Sequence, residues 1–155
     1  MKKNKKHIIR ILIIITMTLL TIGTSDSVST ELKIINNSSS HLKIIVFDRD
    51  GEENNEKFEL DVGQYYTIIY SGVNNPRHPL DYIKKITLQD RDNVLIKGFR
   101  QALGRSVNGT WVEVVEPGTE DYIILENNNF QLTEEQVKPR RIDYYLWEII
   151  DESIK

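Results

Sequence analysis

The sequence predicts an all-β domain: an antiparallel β-sandwich of seven or eight strands with a C-terminal amphipathic helix packed on it. Two observations favour this class. Short apolar runs rich in Ile, Val, Tyr and Thr recur about every ten residues, and residues of these types pack well on a pleated surface. Groups of Asn, Asp, Gly and Ser separate the runs, and these residues favour turns.

The predicted strands cover residues 31–35, 42–47, 56–60, 65–70, 84–89, 94–99, 110–115 and 121–126. Some of them alternate, so that Leu42, Ile44 and Val46 share one face. The run 65–70 is apolar on both faces, which predicts a central strand. Short strands at this spacing, with turns between most pairs, are typical of an immunoglobulin-like or similar sandwich.

The C-terminal part of the sequence changes character. Residues 132–139 predict a short helical turn, and residues 140–154 predict an amphipathic helix. Within that helix Ile142, Leu146 and Ile149 recur at helical spacing, while the acidic residues lie mostly off the apolar stripe. We expect the helix to cover an open edge or face of the sandwich, and a partner-binding helix is the alternative.

The first 25 residues predict a secretory signal peptide. Four lysines and Arg10 precede residues 11–22, which carry no charge, and small polar residues follow. At about 1.5 Å per residue the apolar segment spans about 18 Å, which is short of a bilayer core of about 30 Å. We therefore expect a single exported domain over residues 26–155, periplasmic or secreted. An uncleaved N-terminal membrane anchor is the alternative.

Charge and cysteine content narrow the function classes. The chain has 20 Lys and Arg and 23 Asp and Glu. Removing the five basic residues of the signal segment leaves 15 against 23, a net charge of −8. Nucleic-acid binding needs a basic footprint, so we expect no nucleic-acid partner. The chain contains no cysteine, so an exported domain must be held by its core without disulfides.

Two stretches with the same Asp-Arg-Asp sequence are candidates for a calcium site. The candidate ligands are Asp48, Asp50, Glu59, Asp90 and Asp92. Asp48, Asp50 and Glu59 match the first, third and twelfth positions of an EF-hand loop, but Glu53 replaces the required glycine. The flanks also predict strands, whereas an EF-hand has flanking helices. We expect two hairpin turns, with calcium as the alternative and no other cofactor.

The candidate ligand-binding residues are Arg77 and His78 between two prolines, Trp111 at the start of a strand, and Arg100 and Arg105 in one loop. A tryptophan at a loop mouth can serve as a flat ligand platform, although it is more often part of a core. The two arginines fit an anion or a solvated loop equally well. No catalytic residue is predicted, because the sequence lacks a nucleophile elbow and has too few histidines for a zinc centre.

The leading functional hypothesis is an exported, non-enzymatic binding module of the bacterial envelope or secretome, with a protein or glycan partner. The lysine-rich start and the abundance of Ile and Asn indicate a bacterial sequence. The alternative is an acidic inhibitor or immunity-type protein for a cationic target, since net charge steers association. A hydrolase that uses acidic residues is the third hypothesis. A membrane contact is expected only through the N-terminal segment, if that segment is retained.

Overall fold

The computed structural model describes residues 27–49, 51, 55–73, 77–137 and 140–154. The predicted signal segment and Asp50 lie outside these residues. The described residues form eleven strands and one short α-helix: β1 (Ser27–Asn36), β2 (Leu42–Asp48), β3 (Glu56–Leu60), β4 (Tyr65–Val73), β5 (Ile83–Gln89), β6 (Leu95–Gln101), β7 (Leu103–Val107), β8 (Thr110–Val114), β9 (Ile123–Leu125), β10 (Gln131–Gln136), β11 (Ile142–Ile149) and α1 (Asp151–Ile154). Among the same residues, two 3-10 helical turns cover Pro79–Asp81 and Asn127–Asn129. No helix of this part of the chain is long and apolar enough to cross a membrane.

The all-β class is confirmed, but the strands do not pair in a purely antiparallel way. One sheet has the order β10-β11-β1-β4, a second has the order β3-β2-β5-β6-β9, and β7 and β8 form a two-stranded sheet of their own. The β1–β11 and β6–β9 pairs are parallel, whereas the other pairs are antiparallel. The architecture is therefore a mostly-β fold with two sheets of mixed orientation.

Both larger sheets contribute to one hydrophobic core. The alternation predicted for 42–47 is confirmed, because Leu42, Ile44 and Val46 of β2 are all buried. From the other sheet, alternate residues of β1 and β11 reach the same core, among them Leu32 and Ile149, which are fully buried. The core explains the apolar runs that repeat along the sequence.

The predicted helix over residues 140–154 is wrong. Residues 142–149 form β11, a strand between β10 and β1, and the helix covers only 151–154. Burial in this strand follows a two-residue period, with Asp143, Trp147 and Ile149 facing inward. The short helical turn predicted over 132–139 is also wrong, because residues 131–136 form β10 with a register shift after Leu132.

The run 65–70 forms an edge strand, so the prediction of a central strand is wrong. β4 lies at one edge of the four-stranded sheet, and its Tyr65 and Ile69 side chains are about 60% exposed. The Lys33 ammonium covers part of this outer surface and lies 4.0 Å from the Tyr65 ring centre. On the opposite face of β4, the Tyr66 ring stacks on Phe58 of the five-stranded sheet at 4.2 Å.

The molecule has two distinct ends, which we name by the course of β1. The end where β1 begins, the entry end, also holds the connection between β4 and β5, because the Thr30 hydroxyl donates to the Arg77 carbonyl at 2.6 Å. β6 finishes at the same end, where the Gln101 amide donates to the Leu80 carbonyl. At the opposite far end, the Ser39 N–H donates to the Asp151 carboxylate at 2.8 Å, next to α1.

Candidate binding site

A β-ribbon formed by β7 and β8 (residues 103–114) extends from the entry end of the fold. Its strands pair antiparallel from Leu103 and Val114 at the base to Val107 and Thr110 at the tip. Asn108 and Gly109 make the turn with φ values of 51° and 79°, as a type I′ hairpin turn requires. The right-handed twist of such a turn matches the twist of the strands, so the sequence closes the ribbon without strain.

The ribbon is exposed on both faces. Every residue from 105 to 115 is exposed, and five of these are large hydrophobic residues: Val107 at 40%, Trp111 at 69%, Val112 at 42%, Val114 at 39% and Val115 at 43%. A two-stranded hairpin with no third strand or covering helix is marginally stable in water. Because side chains alternate between the two faces of a strand, the register places Val107, Val112 and Val114 on one face and Trp111 on the other. Exposed apolar side chains of this kind often mark a surface that contacts a partner.

Trp111 is held in a defined orientation by a glycine on the neighbouring strand. A Cβ atom at Gly104 would overlap the Cε2, Cζ2 and Nε1 atoms of the Trp111 ring. The indole therefore lies against the backbone of β7, where only glycine leaves the necessary space. Because 69% of Trp111 remains exposed, the ring presents its opposite surface to the solvent as a preformed platform.

A buried arginine attaches the ribbon to the larger sheet. Arg100 in β6 is 8% exposed, and its Nη2 donates to Glu113 Oε1 of β8 at 2.7 Å. Its Nε and Nη1 donate to the carbonyls of Thr119 and Gln101 at 3.3 and 3.2 Å. Hydrogen bonds to a charged group are stronger than those between neutral groups, so this network fixes the ribbon base while its tip stays exposed.

The predicted ligand-binding residues fall into two places. Arg105 and Trp111 lie on the ribbon, and Arg100 lies at its base with its guanidinium bound to protein groups. Arg77 and His78 lie in the β4–β5 connection and are not part of the ribbon strands. The structure thus groups three of the candidates and separates the other two.

His78 has a structural environment. Its Nδ1 accepts a hydrogen bond from the Leu80 N–H at 3.2 Å and caps a turn over residues 79–81. The ring packs edge-on against Phe130 and Tyr145, with centre-to-centre distances of 5.7 and 5.0 Å. Burial lowers the pKa of the imidazole, although nearby Asp81 acts in the opposite direction. The neutral ring is thereby favoured in the folded protein.

The calcium candidates that the structure describes lie at two different ends of the fold. Lys43 pairs with Glu59 and with Gln89, whereas Asp48 pairs with Ile83 at the other end of β2. Five residues of strand separate Lys43 from Asp48, which is about 16 Å at about 3.3 Å per residue. Glu59 and the turn at Asp90 therefore lie at the far end, and Asp48 lies at the entry end.

The turn at Asp90 has the hairpin geometry expected from its sequence. Asp90 Oδ1 accepts from the N–H groups of Asp92 and Val94, both at 2.9 Å, and Asn93 has a φ of 65°. The Lys43 ammonium donates to the Arg91 carbonyl at 2.8 Å and to Asn93 Oδ1 at 3.1 Å. Within the described part of the chain, no group of three or more His, Asp or Glu side chains is arranged to hold a metal ion.

Asp143 is a buried carboxyl group that the sequence analysis did not single out. It is 7% exposed, and its Oδ1 has no hydrogen-bond donor among the described residues. Burial raises the pKa of Asp143, while Arg141, whose Nε lies 3.8 Å from Oδ1, partly offsets this. Its inward position in β11 is the reason that the alternating pattern of this strand is hard to recognise.

Several residues of the ribbon were also missed. Residues 100–109 were interpreted as a loop and 110–115 as a strand of the sandwich, so Gly104, Glu113 and the exposed valines were not recognised as parts of a site. A usable signal was present, because Asn108-Gly109 stands directly before a run with alternating Val112 and Val114, and Asn-Gly is a favoured hairpin turn.

Comparison of the chain with models of known protein families, with curated proteins and with solved structures found no significant match.

Proposed function

We propose that this chain is an exported, non-enzymatic binding module of the bacterial envelope or secretome, and that the ribbon is its contact surface. The observation that carries the proposal is the exposure of Trp111 and four valines on a hairpin whose base is fixed by Arg100. Tryptophan is enriched among the residues that dominate binding energy at interfaces. A rigid scaffold that presents a projecting loop is also a common arrangement for binding.

The geometry of the ribbon supports binding because its contact groups are preorganised. Gly104 holds the Trp111 ring, and the Asn108–Gly109 turn fixes the ends of both strands. Little conformational freedom is then lost when a partner covers the ribbon, and such losses are a large part of the cost of association. His78 supports a non-enzymatic function, since its Nδ1 bonds the Leu80 N–H and its ring packs against Phe130 and Tyr145 within the fold.

Hydrogen exchange of the full chain, followed by mass spectrometry, tests the proposal. We expect backbone exchange in residues 103–115 to slow by about tenfold or more when an isolated bacterial envelope fraction is added, because covered amides exchange only after release. The turn at residues 61–64, where Val62 is 58% exposed, should exchange at an unchanged rate. This turn lies at the far end and serves as an internal control.

Paired variants separate the ribbon from other exposed apolar residues. Trp111→Ala should reduce the protection of the ribbon, since loss of a central contact of about 2 kcal/mol weakens binding about thirtyfold. Val62→Ser removes an exposed valine elsewhere and should leave the protection intact. Unchanged exchange in 103–115 on addition of the envelope fraction would contradict the proposed function.

The inhibitor or immunity-type alternative is favoured by the charge of the far end. The carboxylates at this end are Glu59, Asp61, Asp90, Asp92, Asp151 and Glu152. They outnumber the nearby Lys43, Arg91 and Lys97. A surface of one sign speeds association with an oppositely charged protein, and the effect falls with ionic strength.

This alternative predicts a salt-dependent association rate with a cationic lysin as the target. The rate should fall steeply between about 0.01 and 0.15 M salt, as screening lengths shorten from about 30 to 8 Å. Neutralising Asp61 and Asp92 to Asn should flatten the dependence, whereas Trp111→Ala should leave it unchanged. A rate that does not respond to salt would rule out electrostatic steering of this kind.

A further inference from the structure

We propose that two copies of this chain pair through the β4 edge of the four-stranded sheet, so that the two sheets join into one continuous sheet of eight strands. The pairing is antiparallel about a two-fold axis at Ile69, the middle residue of β4. The inference goes beyond the proposed function and does not depend on it, because other strands form the ribbon. A dimer of this kind carries two ribbons, and two linked contacts bind a surface more tightly than one.

β4 has one open side. It pairs with β1 over nine residues without a register shift, and no strand lies on its other side among the described residues. In an antiparallel pair, alternate N–H and C=O groups of each strand point away from the neighbour. β4 therefore presents a row of backbone groups that are free to pair with another strand.

The other edges of the two larger sheets have features that discourage such pairing. β10 contains Glu134 and Glu135 and has a register shift after Leu132. β3 has three charged residues among its five, and β9 has only three residues. β4 has nine residues with no charge and no proline. Among the described edges of these two sheets, β4 is thus the one without protection against pairing.

The sequence of β4 is self-complementary about its centre. When Ile69 lies opposite Ile69 of the second copy, the two strands overlap over their whole length. Thr67 then lies opposite Ser71 of the second copy on the outer face, and Ile68 lies opposite its Tyr70 on the inner face. Hydroxyl pairs and aromatic–β-branched pairs are among those that stabilise neighbouring strands. The assembly closes at two copies, because each copy uses its β4 edge once.

Charge favours a second copy at this edge. The chain has a net charge of −3, so two copies repel each other wherever acidic side chains meet, and β4 contributes no such side chain. On the outer face, Glu31 of β1 is level with Ile69. The two Glu31 residues of a dimer lie three strand spacings apart, about 14 Å. Since the screening length is about 8 Å at physiological salt, little repulsion remains at that distance.

Pairing also removes apolar surface from water. The Ile69 side chain is 61% exposed in the single chain, and at the two-fold axis the two Ile69 side chains cover each other. Burial of apolar surface drives most protein association. One strand edge is nevertheless a small interface, so we expect a dissociation constant on the order of 10 µM.

Sedimentation equilibrium of the full chain between about 1 and 300 µM tests the proposal. We expect the mass to rise from that of one chain to that of two. Ile69→Lys places two ammonium groups opposite each other at the axis, so the dissociation constant should rise about tenfold or more. Val94→Lys makes the same change at a side chain that is 60% exposed before β6, and it should leave the association unchanged.

Disulfide cross-linking of the full chain tests the register. The chain has no cysteine, and directly opposite residues of an antiparallel pair have Cα atoms about 4.5 to 5.5 Å apart, within the range of a disulfide. Ile69→Cys should therefore give a cross-linked dimer when a mild oxidant takes two electrons from the two thiols. Tyr65→Cys is a control at a side chain of 60% exposure on the same face. It should not cross-link, because the two Tyr65 residues lie eight positions apart along the pair, about 26 Å.

Several results would overturn the proposal. The chain could stay single at about 300 µM, or Tyr65→Cys could cross-link as readily as Ile69→Cys. An Ile69→Lys chain that associates like wild type would show that another surface, such as the N-terminal segment, joins the copies. If the chain stays single and the envelope fraction slows hydrogen exchange in residues 65–73, the β4 edge pairs with a strand of another protein and not with a second copy.

Discussion

His78 shows how a residue that the sequence marks as a candidate site can have a structural task. Its ring caps the turn at residues 79–81 and packs between Phe130 and Tyr145, so it attaches the β4–β5 connection to the four-stranded sheet. Proximity to two prolines was enough to single out this histidine, but its partners come from more than 45 residues further along the chain. Single-sequence reasoning has no means of placing them.

The lowered pKa of His78 predicts a pH dependence of stability. The unfolded chain binds a proton at a pKa near 6.5, whereas the folded chain binds it only at lower pH because the ring is buried. The unfolded state therefore takes up more protons as the pH falls. The stability that the neutral His78 ring contributes is fully present above pH 6.5, and it is lost as the pH falls toward the pKa of His78 in the folded protein. Urea unfolding between pH 7 and pH 5 should show a decreasing free energy of unfolding.

Two asparagine variants provide the comparison. His78→Asn does not titrate and retains an oxygen that can cap the turn, so the decrease below pH 6.5 should become smaller. His41→Asn removes a histidine whose ring contacts the exposed carboxylates of Glu59 and Asp61. In this variant, the loss of stability that comes from His78 at low pH should persist. Equal slopes for wild type and His78→Asn would show that another group causes the dependence.

At the scale of elements, most strands could be predicted and the C-terminal one could not. The predicted runs overlap β1 to β6, β8 and β9 because turn residues bound each of them. The apolar positions of most of these strands face one core, whereas those of β8 are exposed. In β11, Ile142, Leu146 and Ile149 match helical spacing, while the inward Asp143 interrupts the strand alternation. Whether this segment reads as a helix or as a strand depends on which of its residues are buried. The neighbouring strands determine that burial.

The ribbon was predicted only in part for a similar reason. The run 110–115 predicts β8, but β7 contains Gly104, Arg105 and Ser106, which do not resemble a strand on their own. β7 forms because the Asn-Gly turn folds it back on β8 and because Arg100 fixes the base. Trp111 is a candidate ligand-binding residue from the sequence alone, but the glycine that orients its ring lies on the other strand.

Arg100 at the ribbon base and Arg105 on the ribbon should differ in their effect on stability. Arg100→Met removes charged hydrogen bonds to Glu113 and to two carbonyls, and we expect a loss of about 2 kcal/mol in the free energy of unfolding. Arg105→Met changes an exposed side chain of the same type and should cost less than about 0.5 kcal/mol. Urea unfolding measures both, and equal losses would argue against Arg100 as the anchor of the ribbon.

At the scale of the whole molecule, the fold depends on pairing between the two ends of the described chain. β11 lies between β1 and β10, with a register that runs from Ser29 opposite Ile142 to Asn36 opposite Ile149. The first strand therefore cannot complete its sheet until the last one has formed. Contacts of such long sequence separation slow folding, so we expect refolding in milliseconds to seconds.

Truncation distinguishes a central C-terminal strand from a covering helix. A chain that ends at Ile150 loses α1, including the partly buried Ile154, and should still fold with a modest loss of stability. A chain that ends at Arg141 loses β11 and the buried Trp147 and Ile149, and it should show no cooperative unfolding transition by circular dichroism. A cooperative transition in the shorter chain would mean that β1 and β10 do not need β11.

The parallel pairing of β1 and β11 has a mechanical consequence. β1 begins at the entry end, and β11 finishes at the far end, so a force applied to the two termini acts along these strands in opposite directions. The eight register pairs from Ser29 to Asn36 then carry the load together in shear, instead of opening one after another. Forced unfolding is governed by the unfolding rate, and single-molecule pulling from the termini should find a domain that resists tension strongly.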